Sequence, residues 1–411
     1  MKKISCYIIN LLLMVYLIVY PLVPLDNKIG KFKFNPDYVL ILLIGIILLA
    51  IIFCKEFRKK IFYGLKDFFT SALGITLIIF NLLMYMSTLY AIDKRITVTQ
   101  SIRFTLYIVI FFIISYVISE KMITIGVTKL GFLISIIISL KGIVQYINLK
   151  FLNKIPREIR VGSFLENPNN LGVYLIFFMF ISITFIFVNQ DIKKRIMYTI
   201  ISFILLLGII VCGSRNALLA LLLGTFLLIL TYNKKYIIFG IILTLVLFIA
   251  PVSRNRMIEV FDAGQNSSRI KIWKSASYVI RDNKTLGVGY DNFMIVYPDY
   301  VKKYPKELET RRWYHAQHPH NIFLKVQSEL GILGTISFLA MIISSLFTVK
   351  LAIKNSKDNT EKYLLKVLGV TFIVFQIMNL IDCYYNIPKI MITMFIMLGI
   401  INFYKRKRIN E

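Results

Sequence analysis

The 411-residue sequence is poor in acidic residues, histidine and cysteine, and these shortages exclude several classes of protein. Only 21 aspartates and glutamates accompany 49 lysines and arginines, which gives a formal net charge of +28. The sequence lacks an Asp-x-Asp pair, which would predict a metal-held nucleotide sugar. It also lacks a Walker motif, which would predict the use of ATP. The four cysteines stand far apart, in or beside apolar runs, so we expect inert thiols rather than a metal site.

Long apolar runs are abundant instead. Hydrophobic residues form 57% of the chain, and the mean hydropathy is +0.72. Runs of roughly 17–25 apolar residues, enough for a helix to cross a bilayer, recur along the sequence. The pattern predicts an all-α integral membrane protein with about twelve transmembrane helices and one long extracytoplasmic loop containing short amphipathic helices. The predicted spans are 4–23, 38–54, 71–91, 104–119, 130–147, 171–188, 196–212, 216–230, 236–251, 321–349, 363–382 and 387–404.

These runs divide the chain into three parts. Residues 1–251 form a first membrane portion with nine spans, residues 252–320 form the long loop, and residues 321–411 form a second membrane portion with three spans. The tenth span, 321–349, is long enough to be tilted, or to break near Gly331 and Gly334.

Orientation follows from the basic residues of the short loops. With a cytoplasmic N-terminus, the inner segments carry nearly twice as many lysines and arginines as the short outer loops. We therefore predict a multi-pass protein of the cytoplasmic membrane, with anionic lipid headgroups rather than nucleic acid as partners of its positive charge. This orientation places three polar segments, 148–170, 213–216 and 252–320, on the outer face.

All three histidines of the protein lie in one hexapeptide, His315-Ala-Gln-His318-Pro-His320, just before an apolar helix. The positive end of that helix disfavours a protonated imidazole at His320, so His320 is the candidate general base. For His315 and His318 a solvent-facing or capping role is the simpler interpretation. No carboxylate or cysteine nearby in the sequence completes a metal shell, so no metal is expected.

Charged residues at or inside the membrane are further candidates. Arg160 lies close to the predicted membrane surface, where it is able to bind a phosphate. Arg215 sits in a four-residue turn between two spans, which favours a dedicated anionic ligand over contact with lipid headgroups. Lys325 and Glu329 share one face of the tenth span, and either an intrahelical ion pair or a functional role accounts for them.

The long loop contains an amphipathic pattern. Ile270, Trp273 and Ile280 fall on one helical face and basic residues occupy the others, which predicts a helix on the outer membrane surface. The glycines at 287 and 289 then indicate a turn, without the spacing of a phosphate-binding loop.

Four motifs, in one order along residues 160–340, resemble those of the O-antigen ligase and polymerase superfamily. The strongest is His320-Asn321, nine residues, and then Gly-x-x-Gly at Gly331 and Gly334. The others are Gly-Ser-Phe-Leu-Glu-Asn-Pro-Asn at 162–169, Ser-Arg at 214–215, and Arg-x-x-x-Trp at 269–273 followed by Gly-x-Gly-x-x-Asn-Phe at 287–293. Each motif alone is weak, but their combination is specific.

The resemblance implies a glycosyltransferase that needs neither a metal nor another cofactor. Such an enzyme transfers a glycan from undecaprenyl diphosphate to an acceptor hydroxyl. His320 would be the base, and Arg160, Arg215 and Arg269 would hold the diphosphate. Asn321, Glu329 and Arg312 would support them. Candidate protein partners are a chain-length regulator and a flippase.

Three functions remain open on the sequence. A Wzy-type polymerase of O-antigen or capsular polysaccharide repeat units is favoured, because the richness in Ile, Lys and Asn is typical of AT-rich genomes, many of which belong to organisms without an outer membrane. A ligase that transfers the glycan to lipid A core or to protein shares every motif. A polysaccharide transporter or flippase would show repeated halves and broken helices near the midplane, and no such repeat is found.

Overall fold

The computed structural model describes residues 2–23, 27–29, 32–151, 159–231, 236–259, 263–308 and 316–407, and almost all of them are helical. The predicted all-α class is confirmed, and the one addition among these residues is a short two-stranded antiparallel hairpin, β1 (Asn27–Ile29) and β2 (Phe32–Phe34). The first nine helices are α1 (Lys2–Leu22), α2 (Asp37–Phe53), α3 (Lys55–Thr70), α4 (Ala72–Met86), α5 (Lys94–Phe112), α6 (Thr128–Phe151), α7 (Pro168–Val188), α8 (Ile192–Cys212) and α9 (Arg215–Thr231). The remaining helices are α10 (Tyr236–Ile249), α11 (Pro251–Ile258), α12 (Ala263–Asp282), α13 (Phe293–Lys303), α14 (Pro305–Leu308), α15 (Ile322–Asn355), α16 (Asn359–Met378) and α17 (Pro388–Lys407).

Every one of the twelve predicted spans coincides with a helix, but fewer qualify as membrane spans by length and apolarity. Within the described ranges seven helices qualify, or up to nine if each of two bent helix pairs counts as one span. α1 and α9 are shorter apolar helices. The chain is thus a multi-pass helical membrane protein, and the predicted number of twelve spans is not confirmed.

The helices arrange themselves as a bundle with an apolar exterior. α7 and α17 are the most deeply buried spans, and α7 packs against α8, α9 and α16. Large apolar side chains on α2 and α10, among them Ile41, Ile52 and Ile238, are instead more than half exposed. Exposed apolar surface on this scale is unfavourable in water and fits a lipid environment.

The two ends of the bundle differ in chemistry, and α17 runs from one to the other. At its first residue α17 follows a polar segment, 379–387, which contacts the turn before α15. At its last turn Arg406 pairs with Asp67, and Lys407 pairs with Glu120 and Glu361. We call the first end the polar end and the second the basic end.

α12, α13 and α14 build a small second core at the polar end. Ile272, Ala276 and Val279 of α12 are buried against Phe293 and Tyr297 of α13. The predicted amphipathic helix therefore exists, and Ile270 of its predicted membrane-facing side is exposed. A neighbouring face of α12 is covered by protein.

α15 is broken at Gly331, which is the second of the two explanations that its length allowed. The backbone there has φ 64° and ψ −159°, a conformation almost confined to glycine. The break frees the carbonyls of Ser328 and Glu329, which accept the backbone N–H groups of Val288 and Gly289 at 3.0 and 2.9 Å. Gly331 thus permits a loop backbone to lie directly against α15.

We expect Gly331→Ala to destabilise the protein by about 1–3 kcal/mol from the backbone conformation alone. A β-carbon at this position would also collide with the carbonyl of Thr285, which adds to the loss. Gly45→Ala in α2 is the matched control, because a β-carbon there meets no atom within 4 Å. Thermal melting of both purified variants measures the effect, and equal melting temperatures would contradict this account of the break.

Candidate active site

The site is built around the turn that starts α15. Asn321 caps the helix, since its side-chain oxygen accepts the backbone N–H groups of Phe323 and Leu324 at 2.9 and 3.1 Å. The Ile322 N–H donates to the Asn379 carbonyl at 2.9 Å, which ties the turn to the segment before α17. His320 precedes the cap with φ 51°, an uncommon conformation outside glycine.

Asp382 is the partner of His320. Its Oδ1 lies 3.1 Å from His320 Nδ1 and accepts the Cys383 N–H at 2.9 Å, while its Oδ2 accepts Asn169 Nδ2 at 3.1 Å. Burial alone would raise the pKa of Asp382, but the hydrogen bond and positive charge of His320 lower it to about 2. Asp382 is therefore an ionised carboxylate that holds the His320 ring at its Nδ1 atom.

His318 packs edge-on against His320, with ring centroids 4.4 Å apart. Its Nδ1 accepts the backbone N–H of His320 at 3.3 Å. Burial, and then the neighbouring charge of His320, lower the pKa of His318 to about 4. His318 therefore supports the turn as a neutral ring, whereas the His320 side chain keeps 28% of its surface exposed.

These three side chains also form a candidate metal-binding group. One ligand atom each from His318, His320 and Asp382 lies within 4.8 Å of the others. The expectation that no carboxylate is available to complete a metal shell is wrong, because Asp382, far along the chain, folds back to the histidines. Three nitrogen and oxygen ligands with one open position are typical of catalytic zinc sites.

Arg160 joins this cluster through one asparagine. Its Nη2 donates to Asn169 Oδ1 at 2.7 Å, and the amide nitrogen of Asn169 donates to Asp382. Asn167 caps α7 by accepting the Asn169 N–H at 2.8 Å, so the asparagines of this motif start a helix. Asn169, at the end of the motif at 162–169, thus links the Arg160 guanidinium to Asp382, the partner of His320.

A second arginine, Arg256, packs beside Arg160. Both side chains lie against Gly213, which ends α8 in a left-handed conformation with φ 58°. Arg256 Nη1 pairs with the Glu259 carboxylate at 2.7 Å, and Arg215 Nη1 donates to the Glu259 carbonyl at 2.9 Å. Arg160, Arg215 and Arg256 therefore lie close together around the turn between α8 and α9.

Arg269 approaches the site from α12, near Tyr384. Burial raises the pKa of the Tyr384 phenol well above its usual range, and the nearby Arg269 charge opposes that rise. The Tyr384 hydroxyl accepts Asn216 Nδ2 at 3.0 Å, so the segment before α17 is also bound to α9. Arg269 is consequently near the segment that carries Asp382, and Arg215 is next in the chain to Asn216, which binds that segment.

Glu329 lies apart from this cluster, in a buried ion group. Its carboxylate accepts Lys325 Nζ at 2.8 Å, and Lys325 also donates to Asp291 Oδ1 at 2.7 Å. Burial would raise the pKa of Asp291, but Lys325 and amide donors from Gln100 and Asn386 lower it. The pairing of Lys325 with Glu329 is confirmed, and Glu329 reaches the site only through the loops that it holds.

Some residues predicted from the sequence are not described by the structure, and two residues of the site were not predicted. Arg311, Arg312 and His315 fall outside the described residues. Asp382 and Arg256 were missed. Asp382 ends an apolar run, where an ionisable side chain is costly and commonly functional, so that position was its available signal. Arg256 has no motif of its own, and only the fold places it beside Gly213.

The fold and this cluster define a multi-pass membrane protein with a histidine–carboxylate pair and several arginines at one end of the bundle. Residues 200–339 of the chain match the family model described as Wzy_C, O-antigen ligase. This match confirms the resemblance to the O-antigen ligase and polymerase superfamily, whose members are glycosyltransferase-like enzymes. No curated protein matches the chain.

The depressed pKa of His318 predicts acid sensitivity. Below about pH 6.5 the unfolded chain takes up a proton that folded His318 refuses until about pH 4. The stability that His318 contributes is therefore fully present above pH 6.5 and is lost as the pH falls towards 4. His318→Asn keeps an acceptor at this position without titrating, so its melting temperature should fall less than that of the wild type between pH 7 and pH 5. Identical pH slopes would show that His318 is not held neutral.

Proposed function

We propose that this protein is a membrane polymerase that joins undecaprenyl-diphosphate-linked oligosaccharide repeat units. The observation that carries the proposal is the His320–Asp382 pair beside arginines that line the same end of the bundle. It is supported by the family match over residues 200–339. A general base next to a cationic pocket is what transfer from a diphosphate leaving group requires.

His320 is the proposed general base. With Nδ1 held by Asp382, the other ring nitrogen of His320 is the one left to accept the proton of an acceptor hydroxyl. The ionised carboxylate then stabilises the imidazolium that forms. Asp382 is a positioning residue in this scheme, because it acts on the substrate only through His320.

The arginines are proposed to receive the leaving group. The acceptor oxygen forms a bond to the anomeric carbon of the donor glycan as the bond from that carbon to the diphosphate oxygen breaks. The electron pair leaves with the lipid diphosphate, and the configuration at the carbon inverts. Arg160, Arg215 and Arg269 offer charged, bidentate donors for the growing negative charge, and Arg256 joins them as a further candidate.

The two ends of the bundle support an orientation. The last turn of α17 ends in Lys405, Arg406 and Lys407. His320 and Asp382 lie at the opposite end of the bundle, near the start of α17. A basic end faces the cytoplasm in most multi-pass proteins. We therefore propose that the chain lies in the cytoplasmic membrane with the candidate active site on the outer face, where lipid-linked repeat units would reach it.

Loss of glycan elongation in a His320→Ala variant is the expected outcome in a deletion strain complemented with that variant. Removal of a general base lowers turnover by about a hundredfold to ten-thousandfold. Single repeat units should then remain on the lipid carrier, as seen by electrophoresis of extracted lipid-linked glycan. Lys302→Ala, an exposed change in α13, is the matched control and should give wild-type chains at equal membrane abundance.

The same experiment separates the competing functions. Long chains that accumulate on the carrier without reaching a final acceptor would indicate the ligase. Repeat units trapped on the inner leaflet would indicate a flippase. Wild-type product from His320→Ala would refute the assignment of the base.

Asp382→Ala should reduce elongation strongly, and the double variant with His320→Ala should lose little more than His320→Ala alone. Residues that act as one unit show this non-additivity, because the carboxylate has no role once the imidazole is gone. Turnover of purified lipid-linked donor by the two single variants and the double variant measures the coupling. Multiplicative losses would mean that Asp382 acts independently of His320.

Turnover should persist after treatment with a chelator, because arginines rather than a cation are proposed to neutralise the diphosphate. The assay compares EDTA-treated protein with protein resupplied with Zn²⁺. Loss of activity on chelation and its return with Zn²⁺ would instead assign His318, His320 and Asp382 to a metal centre.

A further inference from the structure

α3 runs at a steep angle to the span before it. It follows α2 after a single residue and bends away from it by 115°. The 17 residues of α2 rise about 25 Å, close to the thickness of a bilayer's hydrocarbon core. α2 is therefore nearly long enough to cross on its own, and the bend allows α3 to lie along the membrane surface before α4 returns.

Contacts place α3 at the basic end of the bundle. Asp67 pairs with Arg406 of α17 at 3.2 Å and accepts the Tyr116 hydroxyl at 2.7 Å. Lys60 Nζ donates to the Val117 carbonyl at 2.7 Å, where the helical turn that follows α5 ends. The helix is thus fixed to the ends of two spans, opposite the candidate active site.

The apolar residues of α3 form two faces rather than one. Phe57, Ile61, Gly64 and Phe68 are buried against the protein. About a third of a turn around the helix from them, Phe62 and Phe69 are 62% and 58% exposed. A surface helix in water gains nothing from such a second apolar face, whereas a helix at a membrane interface buries it among acyl chains.

Basic residues border the exposed aromatic face. Lys55, Lys59 and Lys66 lie about half a turn from the buried face, next to Phe62 and Phe69, and all three are exposed. Arg58 and Lys60 bring the cations of this helix to five, against Glu56 and Asp67. Asp67 is already engaged by Arg406 and Tyr116, so the outward face of the helix is strongly positive.

We propose that α3 is an in-plane binding surface for anionic phospholipid headgroups in the leaflet at the basic end. Phe62 and Phe69 insert between the acyl chains, and Lys55, Lys59 and Lys66 extend from the same depth to the phosphates. Charge complementarity selects this occupant. A second copy of the chain on this face would bring like charges together, and a neutral lipid would leave the lysines without a counter-charge.

The experiment measures stabilisation by lipid. Purified full-length protein in detergent is titrated with phosphatidylglycerol or with phosphatidylcholine, and the melting temperature is followed at low and high salt. The test variant carries Lys55→Gln, Lys59→Gln and Lys66→Gln together. The matched control carries Lys284→Gln, Lys302→Gln and Lys306→Gln, three exposed lysines at the polar end with the same loss of charge.

The expected result is that phosphatidylglycerol stabilises the wild type and the control in a salt-sensitive way. The test variant should bind it about tenfold to a hundredfold more weakly, since each surface lysine contributes up to about fivefold. Its melting temperature in phosphatidylcholine should equal that of the wild type, which shows that it folds.

Three results would overturn the proposal. If the test variant responds to phosphatidylglycerol as the wild type does, the three lysines of α3 do not bind the lipid. An equal loss in the control would show a general effect of net charge. A dimer that dissociates only in the test variant, seen by light scattering, would make α3 an interface between copies of the chain.

Discussion

The buried ammonium of Lys325 is the interaction on which the polar end of the molecule depends. The Lys325 side chain has no exposed surface, and it contacts the carboxylates of Asp291 and Glu329 together. One positive charge between two negative ones leaves an excess that would be costly in an apolar bundle. Backbone N–H groups of Asp291 and Phe293 donate to Glu329, and side-chain amides donate to Asp291, so the excess charge is distributed over donors.

Three segments distant in sequence are joined by this arrangement. Lys325 and Glu329 belong to the first turns of α15, Asp291 to the loop before α13, and Asn386, which donates to Asp291 at 2.7 Å, to the segment that carries Asp382. The break at Gly331 allows the same loop to approach α15 backbone to backbone. Consequently the segments that carry His320 and Asp382 are held in place by the Lys325 network, although neither His320 nor Asp382 bonds to it. This placement explains why a rigid span, rather than the long loop alone, sets the geometry of the candidate site.

Local patterns in the sequence were sufficient for the helices and for part of the site. Apolar runs located a helix at every predicted span, and the two glycines made a break in α15 one of the two explanations of its length. Asp382 could not be paired with His320 from the sequence, because 62 residues separate them and no periodicity links an acidic residue to a distant imidazole. The second apolar face of α12, which packs against α13, was not predicted for a related reason. Periodicity identifies an amphipathic helix, but the partner that covers it, here α13, decides which residues are buried.

The predicted number of spans is not confirmed, because an apolar run predicts a helix but does not by itself make that helix long enough to cross a membrane. α3, which the sequence analysis left outside the predicted spans, carries five cations and packs against the bundle through Phe57, Ile61 and Phe68. Its fixed position follows from α17, whose final turn supplies Arg406 to Asp67 while its first residues adjoin Asp382. A single rigid helix of 20 residues therefore relates the depth of the basic end to the height of the candidate active site. The distance of His320 from the basic end is consequently set by the length of α17, about 30 Å, and not by the flexibility of any loop.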